Sequence, residues 1–295
     1  MVNFLVNLVN GLSLGSVYAI IALGYTMVYG IAKMLNFAHG DIIMVGAYMS
    51  YFALRTLNMP PLVSMLFAMI ICTLLGITIE KTAYKPLRQA TSLSVLITAI
   101  GVSYFLQNMA QLIWGATSVN FPSDFLSLPS MNLLGGQLLI EGKTLITILV
   151  GAAVMVGLSL FISRTKVGKA MRAVSEDRGA AELMGINVNR TISVTFAIGS
   201  ALAAIAGVLL WAKVFKLEPT TGALPGIKAF TAAVLGGIGS IPGAMLGGIL
   251  LGIIEIFCRA YISTALSDAI VFSVLIIVLL VRPTGLLGKP VREKV

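Results

Sequence analysis

Charge is what this sequence has least of. Aspartate, glutamate, lysine and arginine make up 11% of the 295 residues, against 58% hydrophobic residues and a mean hydropathy of +1.00. A soluble domain needs about 25% charged residues, so a water-soluble globular protein is excluded. Histidine occurs once and cysteine twice. Cys72 and Cys258 lie far apart, in or beside apolar runs and without metal or redox spacing, and read as structural. One histidine, two distant cysteines and dispersed carboxylates supply no nucleophile, base or metal-ligand constellation, which argues against a membrane enzyme. A P-loop is missing as well. Gly142-Lys143-Thr144 imitates its tail, but five residues separate Gly136 from Gly142 where the motif has four, and Gln137 stands where its glycine would be. Energy from ATP would have to come from another chain.

What is present is apolar length. Uncharged runs cover 4–32, 62–79, 89–122, 144–163, 191–212 and 229–254, and even the shortest meets the roughly 18 residues of a membrane-helix candidate. The N-terminus has no basic leader, and Asn3, Asn7 and Asn10 interrupt its apolar start, so the first run is expected to stay as a membrane helix. The net charge of +9 does not point to nucleic acid, because the basic residues are scattered between membrane segments rather than gathered on one face. They read as topology. With helices at about 8–30, 34–54, 62–80, 93–114, 144–163, 191–212 and 267–281, a cytoplasmic C-terminus places fourteen basic residues inside. These are Lys33, Lys81, Lys85, Arg88, the six from Arg164 to Arg190, and Arg282, Lys289, Arg292 and Lys294. Only Arg55, Lys143, Lys213, Lys216, Lys228 and Arg259 fall outside. The positive-inside rule then sets a periplasmic N-terminus.

This parity forces 227–257 to enter and return. Its midpoint, Gly236-Gly237-Ile238-Gly239-Ser240-Ile241-Pro242-Gly243, is a poor helix interior, so two short helices are expected to meet there, within the membrane or near its inner face. Broken backbone at depth survives only inside protein or beside a wet cavity, which makes Gly237, Gly239 and Ser240 candidates for the translocation path. Glycines at four-residue spacing from Gly239 to Gly252 also suit simple close helix packing. A second polar interruption, Asn36-Phe37-Ala38-His39-Gly40-Asp41, sits in the N-terminal half, and Gly30-Ile31-Ala32-Lys33 is faintly echoed by Gly226-Ile227-Lys228. Paired interruptions in two halves point to a transport path, adding Asn36, His39 and Asp41 to the candidates. His39 could titrate near neutral pH with Asp41 as partner, but helical residues two apart do not face each other. A structural hydrogen-bonding role therefore stands beside the transport role for all three. Glu255, one turn before Arg259, reads as an interfacial ion pair, and Glu80 and Lys81 border the inner face.

The longest polar loop, 164–190, carries a short helix expected at 176–184. Ser175 would cap it, Glu176 and Asp177 would occupy its first turn, and Gly185 would close it. Ala180, Leu183 and Met184 give it a small apolar face suited to a groove on another protein, or to the membrane surface or its own subunit.

Gly179-Ala180-Ala181-Glu182-Leu183-Met184-Gly185 resembles the Glu-Ala-Ala-x-x-x-Gly loop through which ABC importer permeases grip their ATPases, with Gly179 where glutamate usually stands. Gly24-Tyr25-Thr26-Met27-Val28-Tyr29-Gly30, Asn36-Phe37-Ala38-His39-Gly40 and the stretch Ala229 to Ala244 are similar to the LivH-type permeases of high-affinity branched-chain amino-acid importers. The resemblance covers nearly the whole chain. It implies an all-α polytopic protein of the bacterial inner membrane with the ABC importer permease fold: about seven full transmembrane helices plus a Gly-rich re-entrant or broken hairpin, forming one domain, 1–295, with 164–190 as coupling loop. It implies leucine, isoleucine or valine as substrate and a LivM-type second permease subunit. Two ABC ATPase subunits would bind the ATP, no cofactor would sit in this chain, and a periplasmic binding protein would deliver substrate. ATPase coupling would fall to Glu176, Asp177, Ala180, Ala181, Leu183 and Gly185. The competing expectation is an ion-coupled amino-acid transporter or channel, but such proteins place ionisable groups deep in several helices, and Asp41 stands nearly alone.

The charge asymmetry is tested by labelling single cysteines on a background lacking Cys72 and Cys258. Cysteines at Lys85, Lys169 and Lys289 should resist an impermeant thiol reagent added from outside, and those at Asp124 and Glu218 should react. External labelling at position 169 would reverse the orientation.

Overall fold

The structure is a computed structural model that describes residues 2–122, 125, 129–133 and 138–288. In chain order it has α1 (Val2–Ala32), α2 (His39–Arg55), α3 (Pro61–Ile79), α4 (Ser92–Trp114), β1 (Val119–Asn120), β2 (Met131–Leu133), β3 (Leu138–Ile140) and α5 (Gly142–Arg164). There follow α6 (Lys166–Glu176), α7 (Arg178–Leu183), α8 (Val188–Val214), β4 (Lys216–Leu217), α9 (Ala223–Gly236), α10 (Ile241–Tyr261) and α11 (Ser267–Val281). A π-turn at Glu80–Tyr84 and a 3-10 turn at Lys85–Leu87 prolong α3. The strands form two small antiparallel pairs, β1 with β4 and β2 with β3. Asp124, Gly136, Lys289, Arg292 and Lys294 lie outside the described residues.

Among the described helices six are long and apolar enough to cross a membrane: α1, α3 with its extension to Leu87, α4, α5, α8 and α10. The protein is therefore a multi-pass membrane protein. α2, with 17 residues, α9, with 14, and α11, with 15, are shorter. α2 begins five residues later than the apolar pattern alone places it. Lys33 takes a left-handed conformation (φ 53) just after α1, and the next residues run without helix until His39. The predicted hairpin is present as α9 and α10, an unequal pair joined at Gly237–Ser240.

Lipid tails are as apolar as leucine, so helices in a bilayer associate through close packing rather than a hydrophobic drive. α1 and α10 meet backbone to backbone. A Cβ on Gly252 would lie 2.2 Å from the Gly15 amide nitrogen, and one on Gly248 would lie 2.4 Å from Ala19 Cα. α8 fits α2 in the same way, with Ile43 O 2.2 Å from where a Gly207 Cβ would stand. These contacts bury the middle of α1, from Gly15 to Val28, and most of α8. α3, α4 and α5 instead turn Ile70, Leu112 and Leu149 outward, as lipid-facing or partner-facing surfaces require.

Gly252→Ala should force α1 and α10 apart and cost about 1–3 kcal/mol, read as a clear loss of thermal stability in detergent. Gly157→Ala, where an added Cβ meets nothing within 4 Å, should leave the protein as stable or slightly more so. Equal tolerance at both positions would refute the seam.

Candidate functional sites: a paired helix break and a coupling loop

α1 ends at Ala32, and the chain then turns back toward the interior. Asn36 is buried, with its Oδ1 accepting from the Tyr84 hydroxyl at 2.8 Å and its carbonyl accepting from the His39 amide at 3.1 Å. α2 therefore starts beside Gly24 of α1, against which Gly199, about halfway along α8, also packs. His39 lies edge-on to Tyr25, with ring centroids 4.6 Å apart. Its Nε2 is buried without a hydrogen-bond partner among the described residues. Asp41, also buried, takes its hydrogen bond from Gln107 Nε2 on α4 at 2.9 Å rather than from His39. The spacing argument against a His39–Asp41 pair holds, and α4 supplies the partner instead.

The start of α9, not the Gly-rich turn 236–243, meets this break. Cβ atoms built on Gly40 and Gly226 would each come within 3.4 Å of the other segment's backbone, and Gly222 O lies 2.8 Å from the Gly40 position. α2 and α9 thus begin side by side in the protein interior, each a helix start placed partway along the longer helices. The sequence echo had aligned Gly226 with Gly30, whereas the residue that faces it in space is Gly40. The arrangement opposes two helix N-termini, whose amides and dipoles favour negative charge.

Gly237, Gly239 and Ser240 lie elsewhere, at the far end of α9. Gly237 (φ 106) is packed against Gly288, and a Cβ there would fall 2.3 Å from the Gly288 nitrogen. The following segment closes the helix end, with Leu286 N and Leu287 N donating to the carbonyls of Leu235 and Gly236, each at 2.9 Å. Ser240 caps α10 by accepting from Gly243 N at 3.3 Å. Gly239 (φ 93) is exposed and sits opposite Gly30, near the end of α1. A cavity of about 60 Å³ joins this break to α1, α5 and α6. The path candidates therefore form two groups: Asn36, His39 and Asp41 where α2 begins, and the glycine turn at the α6 end of the molecule.

The 164–190 loop is two helices rather than one. Thr165 caps α6, accepting from Gly168 N at 3.0 Å, and Ser175 lies inside α6, where its hydroxyl donates to the Arg172 carbonyl. Glu176 closes α6. Asp177 takes an extended conformation and caps α7, accepting from Ala180 N at 3.1 Å. An aspartate after a helical stretch can thus end one helix and start the next, which the Ser175 cap had missed. Gly185 (φ 78) ends α7 as expected. Ala180 is exposed, Leu183 and Met184 are 90% and 82% exposed, and Ala181 is buried against its own subunit. Ala181 therefore packs the loop, and the outward apolar tip is Leu183–Met184.

Arg178 ties this loop to the membrane part. Its Nη2 donates to the Ile31 carbonyl at 3.3 Å and, more closely, to that of Ala32, the last residue of α1. A cation on helix C-terminal carbonyls is favourable on both hydrogen-bond and dipole grounds. Burial first, then the charge of Arg88, lower the Arg178 pKa from its ordinary value, and the guanidinium stays protonated.

The family described as branched-chain amino acid transport system / permease component matches residues 7–279. The chain belongs to this permease family. It is 47% identical to the high-affinity branched-chain amino acid transport system permease protein BraD of Pseudomonas aeruginosa, over 99% of this chain and 98% of that protein. It is 44% identical, with the same coverage, to the high-affinity permease protein LivH of Escherichia coli. Among solved structures, PsaBC from Streptococcus pneumoniae in complex with Fab shares the fold, with a TM-score of 0.51 at 15% identity, over 93% of this chain and 91% of that one.

Two buried charge clusters in the permease escaped the sequence reading. Lys228, counted among the outer loop charges, lies on α9 with its Nζ 2.7 Å from Glu255 Oε1 and 2.6 Å from Asp268 Oδ1. Tyr18 donates to Glu255 Oε2 at 2.8 Å, and Arg259 pairs with the same carboxylate. The Glu255–Arg259 pair was expected, but not that it joins α1, α9, α10 and α11. The available signal was that a lysine and two carboxylates inside apolar stretches require partners. Glu80, read as bordering the inner face, is buried in the π-turn, pairs with Arg88 and accepts from Ser193 Oγ at 2.6 Å.

Proposed function

We propose that this permease is one subunit of the membrane pathway of an ATP-driven importer for branched-chain amino acids, with α7 as the element that meets an ATPase partner. On this reading it pairs with a LivM-type second permease subunit in the inner membrane and receives leucine, isoleucine or valine from a periplasmic binding protein. Both nucleotide sites belong to the two ATPase subunits. Its N-terminus lies in the periplasm, and α6 and α7 lie in the cytoplasm. The names of the relatives support the substrate class, and the sequence, with no P-loop, supports assigning ATP to partners.

The observation that carries the reading is the pairing of an exposed apolar tip with an inward link. Leu183 and Met184 stand out from the polar loop, where burying each would contribute about 1.5–3 kcal/mol to an interface. Arg178, at the start of the same short helix, holds the end of α1, from which the chain leads directly into the α2 break. A push on α7 is thus delivered to the segment that sets His39 and Gly40 in place. The two charge-assisted bonds are worth about 1.5–3 kcal/mol each.

Two substitutions separate docking from transmission in the reconstituted importer. Leu183→Asp should abolish co-purification of the ATPases while the chain still inserts and folds. Arg178→Gln should leave the ATPases bound and hydrolysing but lower leucine uptake per ATP about tenfold or more, with Arg178→Lys intermediate. Co-purification and uptake unchanged in Leu183→Asp would mean that α7 is not the coupling element.

A further inference from the structure

At the end of the molecule opposite α6 and α7, a groove of about 360 Å³ opens between the start of α1 and the ends of α8 and α10. That volume is at the lower end of the range for small-ligand pockets. Asn7 and Asn10 line it, which gives a use to the polar residues that interrupt the first apolar run. Lys213 of α8 and Arg259 of α10 line it as well. Leu14, Val17 and Ile256 add apolar surface.

The charge on this groove is uneven. Arg259 shares one carboxylate oxygen, Glu255 Oε1, with Lys228, so its charge is only partly offset. Lys213 has a hydroxyl, Ser13 Oγ at 2.9 Å, and among the described residues no carboxylate at ion-pair distance; Glu141 acts on it only at longer range. A half-buried ammonium satisfied by one hydroxyl retains donors for an anion. Arg259 gives one amine nitrogen to Glu255 and keeps a side chain 41% exposed.

We infer that this groove receives a free branched-chain α-amino acid before it enters the pathway, with the carboxylate at Lys213 and Arg259, the asparagine amides beside it and the aliphatic side chain on Leu14, Val17 and Ile256. The inference rests on the permease reading for its substrate class. The same chemistry, an anionic head beside an apolar body, also describes a lipid headgroup. Selectivity for a carboxylate in the absence of anionic lipid distinguishes the two.

The test places a cysteine at the groove edge, Ala260→Cys, in a full-length chain lacking Cys72 and Cys258 and held in nanodiscs of zwitterionic lipid only. With L-leucine at about four times its dissociation constant, thiol labelling should slow about fivefold. Leucinamide, which lacks the carboxylate, should not protect. Lys213→Gln should raise the leucine concentration needed for protection about tenfold or more, and Lys213→Arg should restore it, which separates loss of charge from loss of fold. Absence of protection by leucine, or equal protection by leucinamide, overturns the inference. Slowing that appears only with anionic lipid and ignores leucine assigns the groove to a headgroup and overturns it too. Leucine uptake by the complete importer is measured in parallel. Uptake without protection refutes the groove alone, and no uptake refutes the permease reading.

Discussion

The contact on which the rest depends is the backbone seam between α1 and α10. Gly11, Gly15, Gly248 and Gly252 present no side chain at four positions along it, so the main chains of the two helices come close, against Ile249, Ile253 and Ala19. In a bilayer such contact replaces the hydrophobic drive that holds soluble cores together. It also brings Tyr18 of α1 against Glu255 of α10, and that carboxylate collects Lys228 and Arg259 around it. Breaking a buried pair of this kind by removing one member costs about 3–5 kcal/mol. The seam and the charge cluster therefore lock the same pair of helices, with α9 and α11 attached through Lys228 and Asp268.

Around this fixed pair the two short helices are held by different means. α2 and α9 both begin inside the protein, with glycine faces opposed at Gly40, Gly222 and Gly226, so neither start is separated from the other by side chains. α9 ends at the glycine turn that the segment after α11 closes with two hydrogen bonds. α2 is reached through 33–38, which follows the α1 end that Arg178 holds at Ile31 and Ala32 and which Tyr84 holds at Asn36. Each anchor is a few hydrogen bonds rather than a packed seam. α2 itself is packed against α8 at Gly46 and Gly207, so these hydrogen-bonded connections, rather than the helices, are the parts expected to open first.

Much of this was legible in the sequence, for physical reasons that also mark its limits. The helices expected within the long uncharged runs match α3, α4, α5 and α8 to within three residues of their ends, because a bilayer tolerates little else. Gly and Pro at 236–243 locate the turn between α9 and α10, since Gly237 and Gly239 take positive φ there and Pro242 lies in the first turn of α10. One-dimensional spacing does not carry which way a short helix faces. Ala181 packs inward and Leu183 outward, a result set by how Asp177 restarts the helix. Nor does it carry partners distant in sequence: Lys228 looks like a loop charge until α9 is known to begin at Ala223, and Asp41 meets Gln107 across 66 residues.

With the α1–α10 seam as the fixed frame, and with partner ATPases binding the nucleotide as proposed, nucleotide should act on the breaks and not on the seam. Hydrogen exchange of the complete importer, compared with and without a non-hydrolysable ATP analogue, measures this at each amide. Amides in 33–41 and 222–228 should change their exchange, while those in 11–19 and 248–253 stay slow in both states. Changed exchange along the seam with unchanged breaks would contradict the frame and the route from α7 through Arg178 into the membrane.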